Sequence, residues 1–492
     1  RHATGQRSAR ENIADLFDPG SFTEYGAFAI AAQKRRRSVD DLIANTPADG
    51  VVAGIGSVQA AEFGAERARC LAVAYDYTVL AGTQGAMNHK KQDRLFALAE
   101  SLRLPVVLFA EGGGGRPGDT DTAALTGLDV PTFAQFARLS GLVPRVGVVS
   151  GHCFAGNAAL LGCCDVIIAT KNASIGMGGP AMIEGGGLGV VAPEAVGPAA
   201  MQSTNGVVDL LVDDEAAATA AARQCLSYFQ GRRARWEAAD QRLLRRSIPE
   251  HRRRVYDVRA LIDLVADTGS VLELRRGFGA GMITAFIRIE GRALGLIAND
   301  PHHLGGAIDA DAADKAAHFM QLCDAFDIPL ASLCDTPGFM VGPAAEARAL
   351  VRHTSRMFVI GASVTVPVFT IVLRKAYGLG AMAMSAGSLH ASVFTAAWPT
   401  GEFGGMGLEG YVRLGFRKEL QAIADPAERE AWYEAKVASL YEQGKALSIA
   451  SALEIDAVID PADTRRWIVS GLDAIPAPAP RTGRKWPCVD AW

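Results

Sequence analysis

The sequence has no excess of positive charge, no unbroken apolar run long enough for a bilayer, and no paired cysteine spacing. Across 492 residues the formal net charge is -4, whereas a nucleic-acid binder carries a basic stripe. The longest apolar run, FVIGASVTVPVFTIVL at 358–373, is broken by Gly361 and Pro367 and falls short of the ~20 residues of a spanning helix. It reads as buried strand. The eight cysteines, Cys70, Cys153, Cys163, Cys164, Cys225, Cys323, Cys334 and Cys488, show no CxxC. That argues against a zinc ribbon, assigns no metal, and favours reduced core thiols in a cytoplasmic protein. No GxSxG elbow, no GxxxxGK[ST] and no GxGxxG opening a helix after a strand is present, so the commonest hydrolase and phosphate-binding devices are missing. No signal peptide is visible, and the chain starts at Arg1 rather than Met, as a piece of a longer polypeptide would.

What is there is a globular composition, 49% apolar and 21% charged, in a chain too long for one core. The chain also repeats itself. LRLPVVLFAEGGGGRPG at 102–118 is answered by FDIPLASLCDTPGFMVG at 326–342, and VVSGHCFAGNAAL by VLRKAYGLGAMAM. Pro105 stands 51 positions before Gly156, and Pro329 stands 51 before Gly380. Equal spacing between unlike sequences points to a duplicated fold. The charged stretch QGRRARWEAADQRLLRRSIPEHRRR reads as a solvated linker helix, dividing the chain into domains 1–245 and 246–492. Short apolar runs alternate with helical patterns in both halves, which argues for α/β layers with largely parallel strands.

The stretch SGHCFAGNAALLGC at 150–163 follows an apolar strand and opens an Ala/Leu-rich helix with almost nothing that titrates. A helix start leaves backbone N–H groups unpaired at the positive end of the dipole, where they can hold an oxyanion. Ala155 and Gly156 are small enough to admit a substrate oxygen, and Leu379 and Gly380 recur at the same offset in the second half. Two such holes suit a reaction with two enolate-like partners. Glycine and alanine at such a junction also serve close packing. Cys153 has only His152 beside it as a base, and in an extended segment the two side chains alternate. GGGG at 112–115 lacks a phosphate-loop lysine and reads as a tight turn. His302 and His303, in NDPHHLGG, read as loop-capping residues in preference to an acid or base.

LCDTPGFMVG, VLRKAYGLGAMAM and IANDPHHLGGAIDADAADKAAHF closely resemble the carboxyltransferase component of biotin-dependent acyl-CoA carboxylases, from about Arg10 to Trp492. EGGGGRPGDTD, WPTGEFGGMGLEG and IDPADTRRWI look most like the carboxyltransferase half of single-chain carboxylases acting on longer acyl-CoAs. The resemblance implies two tandem crotonase-like domains, the first for acyl-CoA and the second for biotin. It implies transfer of a carboxyl group from carboxybiotin to the α-carbon of an acyl-CoA thioester. Because the cofactor supplies the base, the protein supplies orientation and two oxyanion holes.

Carried over by position, Ala155 and Gly156 match the hole for the thioester enolate, and Leu379 and Gly380 the hole for the biotin ureido oxygen. Acyl-CoA is expected against Gly82, Gly113 and Gly114, with Lys90 and Lys91 meeting its phosphates unless they merely form a solvated helix face. Biotin is expected between the turn Asp335, Thr336, Pro337, Gly338, Phe339 and the turn containing Tyr377, with Asp335 fixing its turn. Many relatives carry two glycines where this chain has Ala155 and Gly156, and many short-chain carboxylases carry an acidic residue where it has Met382, which implies a more apolar acyl pocket here. No Met-Lys-Met of a carrier is present, so the biotin carrier and biotin carboxylase lie elsewhere. The resembled family is homo-oligomeric, a dimer or a multiple such as a hexamer. An acyl-CoA decarboxylase, with or without biotin, and a silent scaffold subunit remain alternatives.

Overall fold

The computed structural model describes residues 1–122, 127–252, 254–479 and 481–492. They form two compact units, Arg1–Arg233 with Arg481–Trp492, and Ala234–Pro480. The division lies upstream of residue 245. The charged stretch beginning at Gln230 is not the expected linker helix either; its only helical piece among the described residues is a 3-10 turn, Gln241–Arg246. Leu244 of that turn is buried in the second unit's core, and Arg245 pairs with Asp460 at 2.7 Å. One apolar anchor in a basic run has drawn the stretch into the second unit.

The first unit lays down nine strands: β1 (Thr23–Glu24), β2 (Val51–Ser57), β3 (Arg69–Tyr75), β4 (Val106–Phe109), β5 (Arg145–Val149), β6 (His152–Phe154), β7 (Val166–Thr170), β8 (Ser174–Gly176) and β9 (Leu210–Val212). Seven build one sheet in the order β1-β2-β3-β4-β5-β7-β9, and β6 pairs with β8 apart from it. The first three are antiparallel and the rest parallel. Parallel strands are covered on both faces and so lack alternation; VVLF of β4 and VIIAT of β7 are buried at every position. Against them pack Leu95, Phe96 and Ala99 of the helix Ala86–Leu102, which stops on Arg103 in the left-handed region.

The second unit repeats this with β10 (Leu272–Leu274), β11 (Met282–Ile289), β12 (Arg292–Asn299), β13 (Leu330–Thr336), β14 (Val368–Tyr377), β15 (Phe394–Ala397), β16 (Glu402–Gly404) and β17 (Ala457–Val458). The order is β10-β11-β12-β13-β14-β15-β17, with β16 beside β14. Three antiparallel strands again lead into parallel ones. The echo reaches single hydrogen bonds: Leu71 N–H donates to Pro105 O at 2.9 Å, and Gly295 N–H to Pro329 O at 2.8 Å. The two-domain crotonase-like expectation therefore holds as architecture. The apolar run 358–373 is not strand throughout. Its first part ends the helix Leu350–Ser363, with Met357, Ile360 and Gly361 on the buried face. Only Val368 onward is β14, because Pro367 cannot continue the helix.

Candidate active site

In the first unit the chain leaves β6 through Ala155 and opens the helix Gly156–Gly162. Ala155 has φ 51 and ψ -122, a conformation that strains any residue with a Cβ. Its own N–H is consumed by Gly176 O at 3.1 Å. Ala155 is thus no oxyanion donor, contrary to expectation; it supplies the turn that presents the next amide. Gly156 N–H, the first of its helix, has no backbone acceptor among the described residues. A second such amide comes from the GGGG turn. Gly112 N–H goes to His152 O at 2.7 Å and Gly114 N–H to the Asn157 side-chain oxygen at 3.0 Å, leaving Gly113 N–H between them without an acceptor among the described residues. The two turns touch, since a Cβ on Gly114 would lie 2.6 Å from Ala155 Cβ and 3.5 Å from Gly156 N. Gly82, at φ 62, packs so closely that a Cβ would lie 2.6 Å from Glu111 O. The structure brings Gly82, Gly113, Gly114, Ala155 and Gly156 together.

Polar side chains that sequence reasoning passed over stand behind this hole. Gln84 is buried, and its amide donates to Tyr75 Oη at 2.9 Å, which in turn donates to Gln92 at 3.0 Å. That leaves the Gln84 oxygen facing Gly156, where a Cβ would lie 2.1 Å from it. Asn157 is fully buried one residue beyond. The only sequence signal for it is a polar residue in an otherwise Ala/Leu helix.

In the second unit β14 runs directly into the helix Gly378–Met384. Leu379 and Gly380 lie in its first turn, where N–H groups have no intrahelical acceptor. A Cβ on Gly380 would lie 2.7 Å from Gly338 Cα and 3.2 Å from Phe339 N, so helix start and DTPGF turn meet as in the first unit. Gly338 N–H is taken by Thr336 Oγ1 at 3.1 Å and Met340 N–H by Ile308 O at 2.9 Å, leaving Phe339 N–H without an acceptor among the described residues. Pro337 between them has no N–H to offer. Asp335 is fully buried, pairs with Arg374 at 3.0 Å, accepts Lys375 N–H at 3.1 Å and the Tyr256 hydroxyl at 2.8 Å. Tyr377 precedes the helix with its ring buried among Glu402, Tyr441 and Arg252, and burial pushes its hydroxyl pKa up.

The titrating groups near the holes are otherwise engaged. Cys153 is fully buried and desolvation pushes its thiol up, while His152, on the opposite face of β6, stacks on Phe154 with 5.8 Å between ring centres. His302 and His303 face Asp300 and Asp309, at 3.2 and 3.7 Å. Glu111 is buried and pushed up to about 7, despite Arg1 beside it. Lys91 corrects the sequence expectation. It points inward to the carbonyls of Gly26, Ala48 and Val51, with its pKa pulled to about 8 by burial. Only Lys90 of the pair is exposed. Among the described residues no three His, Cys, Asp or Glu gather as a metal site, and no helix is long and apolar enough to cross a membrane.

Residues 1–482 match the carboxyl transferase domain family. The methylmalonyl-CoA carboxyltransferase 12S subunit of Propionibacterium freudenreichii subsp. shermanii is 34% identical over 96% of this chain and 89% of its own. The crystal structure of transcarboxylase 12S, described as a hexamer with methylmalonyl-coenzyme A bound, superposes with a TM-score of 0.83 at 32% identity over 98% of this chain and 92% of that one. A single-chain, multi-domain long-chain acyl-CoA carboxylase superposes with a TM-score of 0.91 at 62% identity; the match covers 96% of this chain and 46% of that longer one.

Proposed function

This chain belongs to the carboxyl transferase domain family, and from that premise we propose that it moves a carboxyl group from carboxybiotin to the α-carbon of an acyl-CoA thioester. The observation that carries the reading is a cluster of backbone donors in each unit without acceptors among the described residues, Gly113 and Gly156 in the first and Phe339, Leu379 and Gly380 in the second, with no base committed to either. When bound, carboxybiotin supplies the carboxyl group and the base. The second hole fits a small ureido oxygen: Gly338 and Gly380 leave no Cβ between the donors of Phe339, Leu379 and Gly380, and Asp335 is held by Arg374. In the first hole Gly113 and Gly156 N–H bind the thioester oxygen and hold the charge that grows there as the α-proton leaves. Gly82 and Gly114 would let the thioester approach, and Lys90, the exposed lysine of the pair, would meet CoA phosphates.

A longer acyl chain is favoured by the likeness to the long-chain carboxylase. Exposed Met177, Met182, Leu188 and Val190 follow β8, in a segment whose Gly176 and Gly179 lie against Phe154. Biotin carboxylase and carrier would be supplied by other domains or subunits, and the working form would be a homo-oligomer. Six buried cysteines among eight free ones favour a reducing, cytoplasmic setting.

The test is steady-state carboxylation of acyl-CoA by a charged biotin carrier, with separate binding of CoA thioester and biotin. Gly156→Val is expected to abolish carboxylation and leave biotin binding intact, and Gly380→Val to do the reverse for CoA thioester binding. Loss of both ligands in either folded variant sinks the two-hole reading. Release of carbon dioxide with no forward reaction supports the decarboxylase alternative, and a wild type that binds neither ligand supports the scaffold.

A further inference from the structure

Asn157 sits one residue into a helix start, where a polar side chain normally reaches solvent or its own turn. Here it is fully buried and reaches two other segments. Its amide nitrogen donates to Gly82 O at 3.3 Å and Glu111 O at 3.0 Å, and its oxygen accepts Gly114 N–H at 3.0 Å. The amide orientation follows from these partners, because two carbonyls need donors and one N–H needs an acceptor.

We propose that Asn157 is a positioning residue for carboxyl transfer, acting through the Gly113 N–H; the proposal rests on the reading of the first hole as an oxyanion site. The segment 112–115 carries no side chains, with Gly112 at φ 138 and Gly114 at φ 87, so it has wide conformational freedom of its own. An oxyanion donor works only if it is fixed before charge develops. Asn157 supplies the fixing from the same helix that provides Gly156 N–H, so both donors are referred to one rigid element. By tying Gly114 N–H away, it leaves Gly113 N–H as the one that faces substrate. The second hole is held from outside its helix instead, where buried Asn299 of β12 accepts Asp335 N–H at 3.1 Å. Ala381 follows Gly380 there, and Gly338 N–H is satisfied by Thr336 within its own turn.

The experiment compares wild type with Asn157→Ala and, should that variant not fold, Asn157→Ser. It records the carbonyl stretch of a bound, carbonyl-labelled acyl-CoA by isotope-edited infrared, alongside kcat and KM. In wild type the stretch is expected to move to lower frequency on binding. In the variant most of that shift is lost, kcat falls by about tenfold to a hundredfold, and KM changes by less than about threefold. A folded variant that keeps the wild-type shift overturns the proposal, whether or not kcat has fallen, because a loss without the shift means Asn157 acts elsewhere. A wild type that binds acyl-CoA with no shift, or binds none, overturns the reading of the first hole itself.

Discussion

Ala155 holds a conformation that glycine would adopt without strain, and its N–H is already spent on Gly176. Its service is therefore geometric. Ala155→Gly is expected to keep turnover within about twofold and leave the melting temperature unchanged or higher. Relief of a strained φ/ψ, about 1–3 kcal/mol, outweighs the 0.5–1 kcal/mol entropic cost of glycine, by rough magnitudes. A large fall in kcat would show that the turn needs the Ala155 methyl group to hold the next amide in place. Lys91 and Lys90 separate in the same way. Burial holds Lys91 near pKa 8, below its unfolded value near 10.4. Between these limits the unfolded chain binds more protons, so this lysine makes stability rise with pH from about 8 to 10.4. Lys91→Met should abolish that rise in urea titrations and cost about 1–3 kcal/mol through unsatisfied carbonyls, with CoA affinity intact. Lys90→Ala should weaken CoA binding at low salt and leave stability alone; unchanged, salt-independent affinity would remove Lys90 from the site.

Among the elements, the turns after β4 and β13 and the helix starts at Gly156 and Gly380 were visible in the sequence, because duplication marks positions even when residues diverge. Which amides remain free was not visible. Gly176, which consumes Ala155 N–H, lies on β8, and nothing local announces that β8 will pair with β6. Asn157 and Gln84 were equally hidden, since their partners come from three separate segments. The burial of Lys91 is equally hidden, because one helix carries Lys90 outward and Lys91 inward, and adjacent lysines look alike in a sequence. Asp335 ties its turn to β14 through Lys375 N–H and the Arg374 guanidinium. Asp335→Asn leaves Arg374, 3% exposed, with a buried charge unpaired, which costs about 3–5 kcal/mol. Thermal unfolding should show that loss; a variant of wild-type stability that has lost all transfer would instead make Asp335 a chemical participant.

For the whole molecule, the last residues return to the first unit. Val489 is buried and exchanges hydrogen bonds with Ser140 at 2.7 and 2.9 Å, and Arg484 donates to Arg138 O at 2.6 Å. Deleting residues 481–492 is expected to lower the unfolding midpoint of the first unit and spare the second, as read by hydrogen exchange on β3–β5 against β12–β14. Equal loss in both would show that the segment does not belong to the first unit alone. This topology also sets an order of events in synthesis. The second unit is continuous and can fold as soon as residue 480 has emerged, whereas the first, begun earlier, must wait for a segment made after its neighbour. Contacts such as Ser140 with Val489 span 349 positions of chain, and pairings of that separation are slow to form. The unit begun earlier is thus completed after the one begun later, because Arg481–Trp492 follow their neighbour in the sequence.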